Sequence, residues 1–169
     1  MNLKILSLVI IGVCILLPDV CYAFLEKDVH LLNMQNGLAD NTVSAVYKDK
    51  EGFVWFGTRN GLSRYDGRQI TNFEQSNSYP SISNLKEVFD GVLAFVDNGV
   101  FSAFDLKKER FLSVVSSSGQ GIPSRGILQK NDSLVWVISG SELHLMKRCA
   151  SKEGELRLRV QEKYTGWNN

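Results

Sequence analysis

The sequence has few of the residues that build disulfide scaffolds and metal centres. Its 169 residues include only three cysteines and two histidines. Two of the cysteines lie among the first 23 residues, and Cys149 on its own cannot form an intramolecular disulfide. The spacing of His30, His144 and Cys149 matches neither a metal-ligand pattern nor a catalytic triad. We therefore predict no metal, no cofactor, no catalytic residue and no disulfide-stapled scaffold.

The chain also lacks an excess of charge of either sign. Lysine and arginine number 19, aspartate and glutamate number 18, and the net charge is +1 with both signs interspersed. Such a charge distribution does not attract a polyanion. Nucleic acid is therefore not an expected partner.

One long hydrophobic run is present, and it stands at the N-terminus. Lys4 precedes thirteen almost wholly apolar residues at positions 5–17. Cys21 and Ala23 are small residues at the third and first positions before a cleavage site that follows Ala23. This pattern predicts a signal peptide over residues 1–23, a mature protein that begins at Phe24, and export to the periplasm. The alternative is an uncleaved anchor, but thirteen helical residues span roughly 20 Å, less than the roughly 30 Å hydrocarbon core. We expect no membrane span once the signal is removed.

The rest of the sequence lacks helical periodicity and alternates short apolar runs with polar turns. Clusters of Gly, Asn, Asp and Ser separate these runs, a pattern typical of an all-β protein. The predicted strands cover residues 42–47, 53–58, 62–65, 70–73, 85–89, 92–96, 100–104, 111–115, 125–129, 134–138, 143–146 and 156–160. The order returns about every forty residues, with Trp55 matching Trp136 and Asn60-Gly61 matching Asn98-Gly99.

A period of about forty residues with four strands per unit is typical of propeller blades. The predicted fold is an all-β partial β-propeller of about three four-stranded antiparallel blades, within a domain of residues 24–169. The blades are expected at about 31–75, 80–116 and 122–162. Inner strands covered on both faces explain the unbroken apolar runs at 53–56 and 92–96. The fourth strand of each unit should lie outermost and half exposed, as the alternation at 156–160 indicates.

The first unit carries the most specific pattern in the chain. Its motif residues are Gly37, Leu38, Asn41, Asp49, Gly52, Trp55, Gly57, Thr58, Gly61, Leu62, Tyr65, Asp66 and Gly67. The pattern closely resembles the two-component regulator propeller repeat, strongly over residues 31–75 and loosely over 80–162. The resemblance implies the exported, carbohydrate-sensing region of a hybrid two-component regulator. In that family the propellers precede a membrane helix and a histidine kinase core, which this sequence lacks.

The same motif residues have a structural interpretation that needs no ligand. We expect Asp49 to close a hairpin and Gly57 to let a neighbouring backbone approach. Trp55, among apolar neighbours, is expected to be a buried anchor of the blade. Gly61 and Gly99 supply the positive φ that a tight turn requires. The motif thus predicts a scaffold.

Propeller ligands usually bind the face built by the loops that enter the first strand and join the second strand to the third. The predicted ligand-binding residues on that face are Arg59, Asn60, Asp97 and Asn98, with the segments 36–41 and 139–142 beside them. These side chains could hydrogen-bond the hydroxyls of an oligosaccharide. The alternative is that they are solvated residues suited to tight turns. Tyr79 and Trp167 are further candidates as aromatic platforms for a sugar.

Two other interpretations stay open. The spacing Asp49-x-x-Gly52-x-x-Trp55 is similar to the hairpin box of sialidase blades, which favours an exported propeller enzyme acting on glycans. Such enzymes also need an arginine cluster, and the arginines at 59, 64, 68, 110 and 125 are scattered. The second is a truncated or non-functional fragment, because three blades cannot close a ring that typically needs four to eight. The expected partners are then further propeller blades or a second copy in a dimer.

Overall fold

The computed structural model describes residues 30–74 and 81–166. The chain divides into two units, residues 1–31 and 32–169. His30 and Leu31, the described part of the first unit, are both exposed. The predicted signal peptide and its cleavage site lie outside the described residues, and so do Tyr79 and Trp167.

The regular structure in the described residues of the second unit is almost entirely β-strand, in the order that the sequence predicts. A short 3-10 turn (Met34–Asn36) precedes the first strand. The strands are β1 (Val43–Lys48), β2 (Val54–Thr58), β3 (Gly61–Tyr65), β4 (Ile70–Phe73), β5 (Ile82–Phe89), β6 (Val92–Asp97), β7 (Val100–Asp105), β8 (Arg110–Ser116), β9 (Gly126–Asn131), β10 (Leu134–Ser139), β11 (Glu142–Cys149) and β12 (Glu155–Tyr164). Each of the twelve predicted strands is present, because alternation and turn residues are local signals.

The strands form three antiparallel blades, which confirms the predicted fold class. β1–β4 form the first blade as a separate four-stranded sheet. The second blade (β5–β8) and the third blade (β9–β12) join into one eight-stranded sheet, through parallel pairing of β8 with β12. The fourth strand is the last of its blade in each case, as predicted, but β8 and β12 are not free edges, because they pair with each other. Leu156 and Leu158 are buried, because the pairing holds this part of β12 against the second blade.

Two apolar cores lie between consecutive blades. The core between the first and second blades contains Trp55 and Leu62 from the first and Leu93 and Phe95 from the second. The core between the second and third blades takes the alternate residues of β6, which include Ala94. β6 is thus covered on both faces, as its apolar run predicts. The same prediction is wrong for β2, where Val54 and Phe56 are only partly buried because their face lies opposite to the second blade.

The pairing register gives the structural equivalence of the blades. The second and third strands of each blade are joined by a two-residue turn, between Thr58 and Gly61, Asp97 and Val100, and Ser139 and Glu142. Counting back from these turns, Trp55 corresponds to Ala94 and to Trp136, so the predicted match of the two tryptophans holds. The predicted match of Asn60-Gly61 with Asn98-Gly99 is wrong by one residue, because the turns are residues 59–60 and 98–99.

Candidate functional site

The motif carboxylate Asp49 holds together the hairpin that precedes Trp55. Its Oδ1 accepts hydrogen bonds from the backbone N–H groups of Glu51 at 3.0 Å and Phe53 at 2.9 Å. Its Oδ2 accepts a hydrogen bond from the indole Nε1 of Trp55 at 2.8 Å. One side chain therefore fixes both the turn and the orientation of the buried indole, which explains the spacing of the two residues in the sequence.

Other motif residues fix the segment that precedes β1. Gly37 has a φ of 106° and ends the 3-10 turn, and its carbonyl accepts a hydrogen bond from Asn72 at 2.9 Å. Leu38 is buried, and Asn41 accepts a hydrogen bond from the backbone of Met34 at 2.8 Å. These contacts hold residues 33–41 against β3 and β4, on the face of the first blade that points away from the second blade.

The remaining motif residues shape the other turns of the first blade. The Thr58 hydroxyl donates to the carbonyl of Gly61 at 2.9 Å and accepts from the backbone of Asn60 at 3.1 Å. The Asp66 carboxylate accepts hydrogen bonds from the backbone N–H groups of Arg68 and Gln69. Both bonds lower the pKa of the Asp66 carboxyl, and the bond from Gln69 has the larger effect. In the described structure the motif residues therefore serve the fold of the blade.

The predicted ligand-binding residues lie at one end of the blades, here called the upper end. This end carries the turns that join the second strand to the third, together with the starts of β1, β5 and β9. The starts of neighbouring blades lie side by side, because the Ser44 hydroxyl donates to the carbonyl of Ile82 and the Asn84 amide donates to the carbonyl of Arg125. Arg59 and Asn60 are exposed in the first blade's turn. The Asn60 amide reaches the carbonyl of Ala39 at 3.5 Å.

The second blade repeats this arrangement at the upper end. Asp97 accepts a hydrogen bond from the backbone N–H of Ser81 at 3.2 Å, and the Asn98 N–H donates to the Ser81 carbonyl at 3.5 Å. Asn98 has a φ of 47° and Gly99 a φ of 80°, as a tight hairpin turn requires. In both blades, the turn between the second and third strands is therefore bonded to the segment that enters the first strand.

Burial raises the pKa of the Asp97 carboxyl above its ordinary value, against the weaker opposite effect of the Ser81 N–H. The folded protein thus binds this proton more tightly than the unfolded chain does. The stability contributed by Asp97 is highest below its unfolded pKa of about 3.9 and is lost as the pH rises through the raised folded pKa.

We predict that Asp97→Asn removes this pH dependence, because the amide has no proton to lose and its oxygen still accepts from Ser81. The melting temperature of the variant, measured by circular dichroism, should rise relative to the wild type between about pH 4 and about pH 7. Asp132→Asn serves as the control for removing an exposed turn carboxylate. A constant difference between the Asp97 variant and the wild type across this range would contradict the prediction.

A groove of about 490 Å³ lies at the opposite, lower end, between the first and second blades. Described residues that line it include Lys50, Phe53 and Arg64 of the first blade and Glu87, Lys107 and Glu109 of the second. None of the four predicted ligand-binding residues is among the described residues of this groove. This groove and the predicted binding residues are thus at opposite ends of the blades.

Arg64 is the central side chain of this groove. Its guanidinium carbon lies 4.8 Å from the ring centre of Phe53, 5.6 Å from that of Trp55 and 5.5 Å from that of Phe73. Its Nη1 forms an ion pair with Glu109 of the second blade at 2.5 Å. The arginine therefore covers the aromatic cluster of the first blade and binds the second blade at the same time.

A second ion pair crosses the groove through the buried carboxylate Glu87. Glu87 accepts from Lys50 at 3.3 Å and from the backbone of Gly91 at 3.1 Å. The hydrogen bond to Glu87 raises the pKa of the exposed Lys50 ammonium. These ion pairs join the first blade to the second, so the charged residues of the groove stabilise the contact between the two blades. Glu87 was not predicted as a site residue, and its one signal in the sequence is that it is an acidic residue within the predicted strand 85–89.

Metal-ligating side chains and arginines are the features that a catalytic site would use. Across residues 30–74 and 81–166, no group of three His, Cys, Asp or Glu side chains is arranged to hold a metal ion. Arg64 pairs with Glu109 and Arg110 pairs with Glu153, so these two arginines belong to different ion pairs. In the same part of the chain, no helix has the length and hydrophobicity needed to span a bilayer.

Comparison with known proteins supports the resemblance and the fold. Residues 37–60 match the family model of the two component regulator propeller, which confirms the resemblance seen in the motif. No curated protein sequence gives a significant match.

Two similar solved structures are extracellular domains of Bacteroides thetaiotaomicron proteins described as hybrid two component systems. The BT4673 domain has a TM-score of 0.60 at 16% identity over 82% of this chain. The BT3049 domain has a TM-score of 0.57 at 19% identity over 81% of this chain. This chain covers 21% and 18% of those two chains, respectively. At such identities the likeness establishes the fold.

Proposed function

We propose that this chain is an extracytoplasmic ligand-sensing propeller segment of a two-component regulator, without enzyme activity, and that its ligand is a carbohydrate. The observation that carries the proposal is the match of residues 37–60 to the regulator propeller repeat. The shared fold with extracellular domains of two-component systems and the predicted signal peptide support the location.

The upper end of the blades is the proposed ligand-binding surface. It presents the exposed guanidinium of Arg59 and the amide of Asn60 in the first blade, and Asp97 and Asn98 in the second. Arginine, asparagine and aspartate are suited to hydrogen bonds with sugar hydroxyls or sugar carboxylates. A bound sugar transmits a signal if it binds one arrangement of the sensor more tightly than another.

We predict that Arg59→Ala weakens oligosaccharide binding by about ten- to a hundredfold, as expected for loss of a hydrogen bond from a charged donor. The chain is titrated by calorimetry with neutral and acidic oligosaccharides from bacterial, plant and animal polysaccharides. Arg68→Ala, which removes an exposed arginine from a turn at the lower end, is the matched control and should leave the affinity unchanged.

Several outcomes would contradict the proposal. Absence of binding to every oligosaccharide would reject carbohydrate as the ligand class. Loss of affinity in the Arg68 variant with normal affinity in the Arg59 variant would place the site at the lower end. The oligosaccharide recovered after the titration should be intact. Its cleavage would contradict the absence of enzyme activity and would favour an enzyme that acts on glycans.

A further inference from the structure

The upper end of the blades carries an exposed arginine, Arg125, whose charge is not paired within residues 30–74 and 81–166. The ion pairs of this part of the chain do not include it. Lys163, at the same end of the third blade, forms an ion pair with Glu142 at 3.6 Å. The guanidinium group presents a planar fork of N–H donors that matches two oxygens of an oxyanion. Arg125 is therefore available to bind an anion from solution.

Hydrogen bonds fix the backbone that carries Arg125. Its N–H donates to the carbonyl of Ile138 at 2.8 Å, and the N–H of Ser124 donates to the carbonyl of Gly99 at 2.7 Å. Ser124 is buried, and its hydroxyl donates to the carbonyl of Gly126. The guanidinium is thus carried by a rigid part of the fold, which is what a binding side chain requires.

Asn84 lies beside Arg125 in a β-bulge at the start of β5. The pairing register shifts between Ser83 and Lys86, and Asn84 has a φ of 55°. Its side chain is exposed, and its amide donates to the carbonyl of Arg125 at 3.5 Å. Bulges and positive φ at a residue other than glycine are frequent next to binding sites, because they change the direction of a side chain. The bulge places an amide next to the arginine.

This pair is continuous with the proposed ligand-binding residues of the second blade. The start of β5 pairs with Asp97, two residues before Asn84, and the residue before Arg125 bonds to the residue after Asn98. Asp97 accepts a hydrogen bond from the backbone N–H of Ser81, and in the described part of the chain it forms no ion pair with Arg125. The second blade's turn, the bulge and Arg125 therefore form one polar surface with an unpaired positive charge.

We propose that the ligand of this surface is an anionic sugar, and that Arg125 binds its carboxylate or sulfate group with Asn84 donating beside it. The inference rests on the proposed function, which places a carbohydrate at the upper end, and it adds the charge of that carbohydrate and two residues that bind it. Charge-assisted hydrogen bonds from arginine to an oxyanion are among the strong ones in proteins. Asp97 and Asn98 then bind hydroxyl groups of the same sugar.

The test uses pairs of oligosaccharides that differ only in charge. Oligosaccharides of polygalacturonate, alginate and sulfated galactan are the acidic probes, and their carboxyl-reduced or desulfated forms are the neutral counterparts. The complete sequence is expressed with its own leader, purified and titrated by calorimetry. The variants are Arg125→Ala, Asn84→Asp and, as the matched control, Arg68→Ala, which removes an exposed arginine from the lower end. Melting curves report whether each variant is folded.

The wild type should bind at least one acidic probe at least about tenfold more tightly than its neutral counterpart. Arg125→Ala should abolish this preference, because it lowers the affinity for the acidic probe more than for the neutral one. Asn84→Asp keeps the size of the side chain and tolerates positive φ, but its negative charge repels the anion, so the preference should fall. Arg68→Ala should keep the preference of the wild type.

Equal affinity of the wild type for acidic probes and their neutral counterparts would overturn the anionic ligand. The proposed function would survive that result if Arg59→Ala still weakened binding. A preference that is as large in Arg125→Ala as in the wild type would overturn the role of Arg125. If Arg125→Ala does not fold, an unchanged preference in Asn84→Asp would overturn the site. Binding of no probe, acidic or neutral, would overturn both this inference and the proposed function.

Discussion

Trp55→Ala is expected to cost about 3–5 kcal/mol of folding free energy, a large share of the 5–15 kcal/mol that stabilises an ordinary domain. The indole is 1% exposed, with its ring centre 5.6 Å from that of Phe73 and 5.5 Å from that of Phe104. Its removal empties the centre of the core between the first two blades and leaves the Asp49 carboxylate without the indole donor. The measurement is unfolding in urea, monitored by far-ultraviolet circular dichroism, because this signal reports the backbone and not the fluorescence of the replaced tryptophan.

Three further variants separate the contributions at this site. Trp55→Phe keeps an aromatic ring but removes the indole N–H, so its cost should be near the about 1–3 kcal/mol of an unmade buried hydrogen bond. Trp136→Ala makes the same truncation at the equivalent position of the third blade and should cost less than half as much. Arg59→Ala changes an exposed turn and should stay within about 0.5 kcal/mol. Equal small losses for all four variants would mean that the first two blades are not packed together in solution.

Gly61→Ala is expected to lose about 2–5 kcal/mol of folding free energy, the sum of backbone strain and overpacking. The residue has a φ of 110°, and an added Cβ would lie 2.6 Å from the backbone oxygen of Phe73. That oxygen belongs to β4, which pairs with β3 through Leu62 and Phe73, so it cannot move without disturbing the sheet.

Gly67→Ala is the matched control for this prediction. Gly67 has a φ of 96° in a turn of the same blade, and an added Cβ would meet nothing within 4 Å. Its loss should therefore be limited to the strain of the left-handed conformation, about 1–2 kcal/mol. Both variants are compared with the wild type by urea unfolding at one temperature. Equal losses would contradict the clash that distinguishes Gly61 from Gly67.

Much of the fold could be predicted because its signals are local. All twelve strands were predicted from alternation and turn residues, although β5 begins earlier, at Ile82, and β12 continues to Tyr164. The turn at Asn98 and Gly99 requires positive φ at both residues, and the dipeptide alone indicates it. The Asn-Gly dipeptide does not mark equivalent positions in the two blades, because the strand pairing aligns Asn60 with Gly99 and Arg59 with Asn98.

The candidate site was predictable only in part. The residues of the upper turns are adjacent in sequence to strand ends, so topology alone places Arg59 and Asp97 at the same end of neighbouring blades. The groove at the lower end could not be predicted, because its ion pairs join residues that are distant in sequence. Lys50 and Glu87 lie in different blades, as do Arg64 and Glu109. Their pairing depends on how the blades pack.

The sequence by itself determined the strands, the tight turns and the repeat, because each depends on side chains only a few residues apart. The tertiary structure alone decided which faces are buried. Trp55 and Trp136 occupy equivalent positions on their second strands, yet one is fully buried and the other partly exposed. Within residues 30–74 and 81–166, a neighbouring blade covers the first of the two. The parallel pairing of β8 with β12 was likewise decided by packing, because parallel partners carry no mark in the local pattern of either strand.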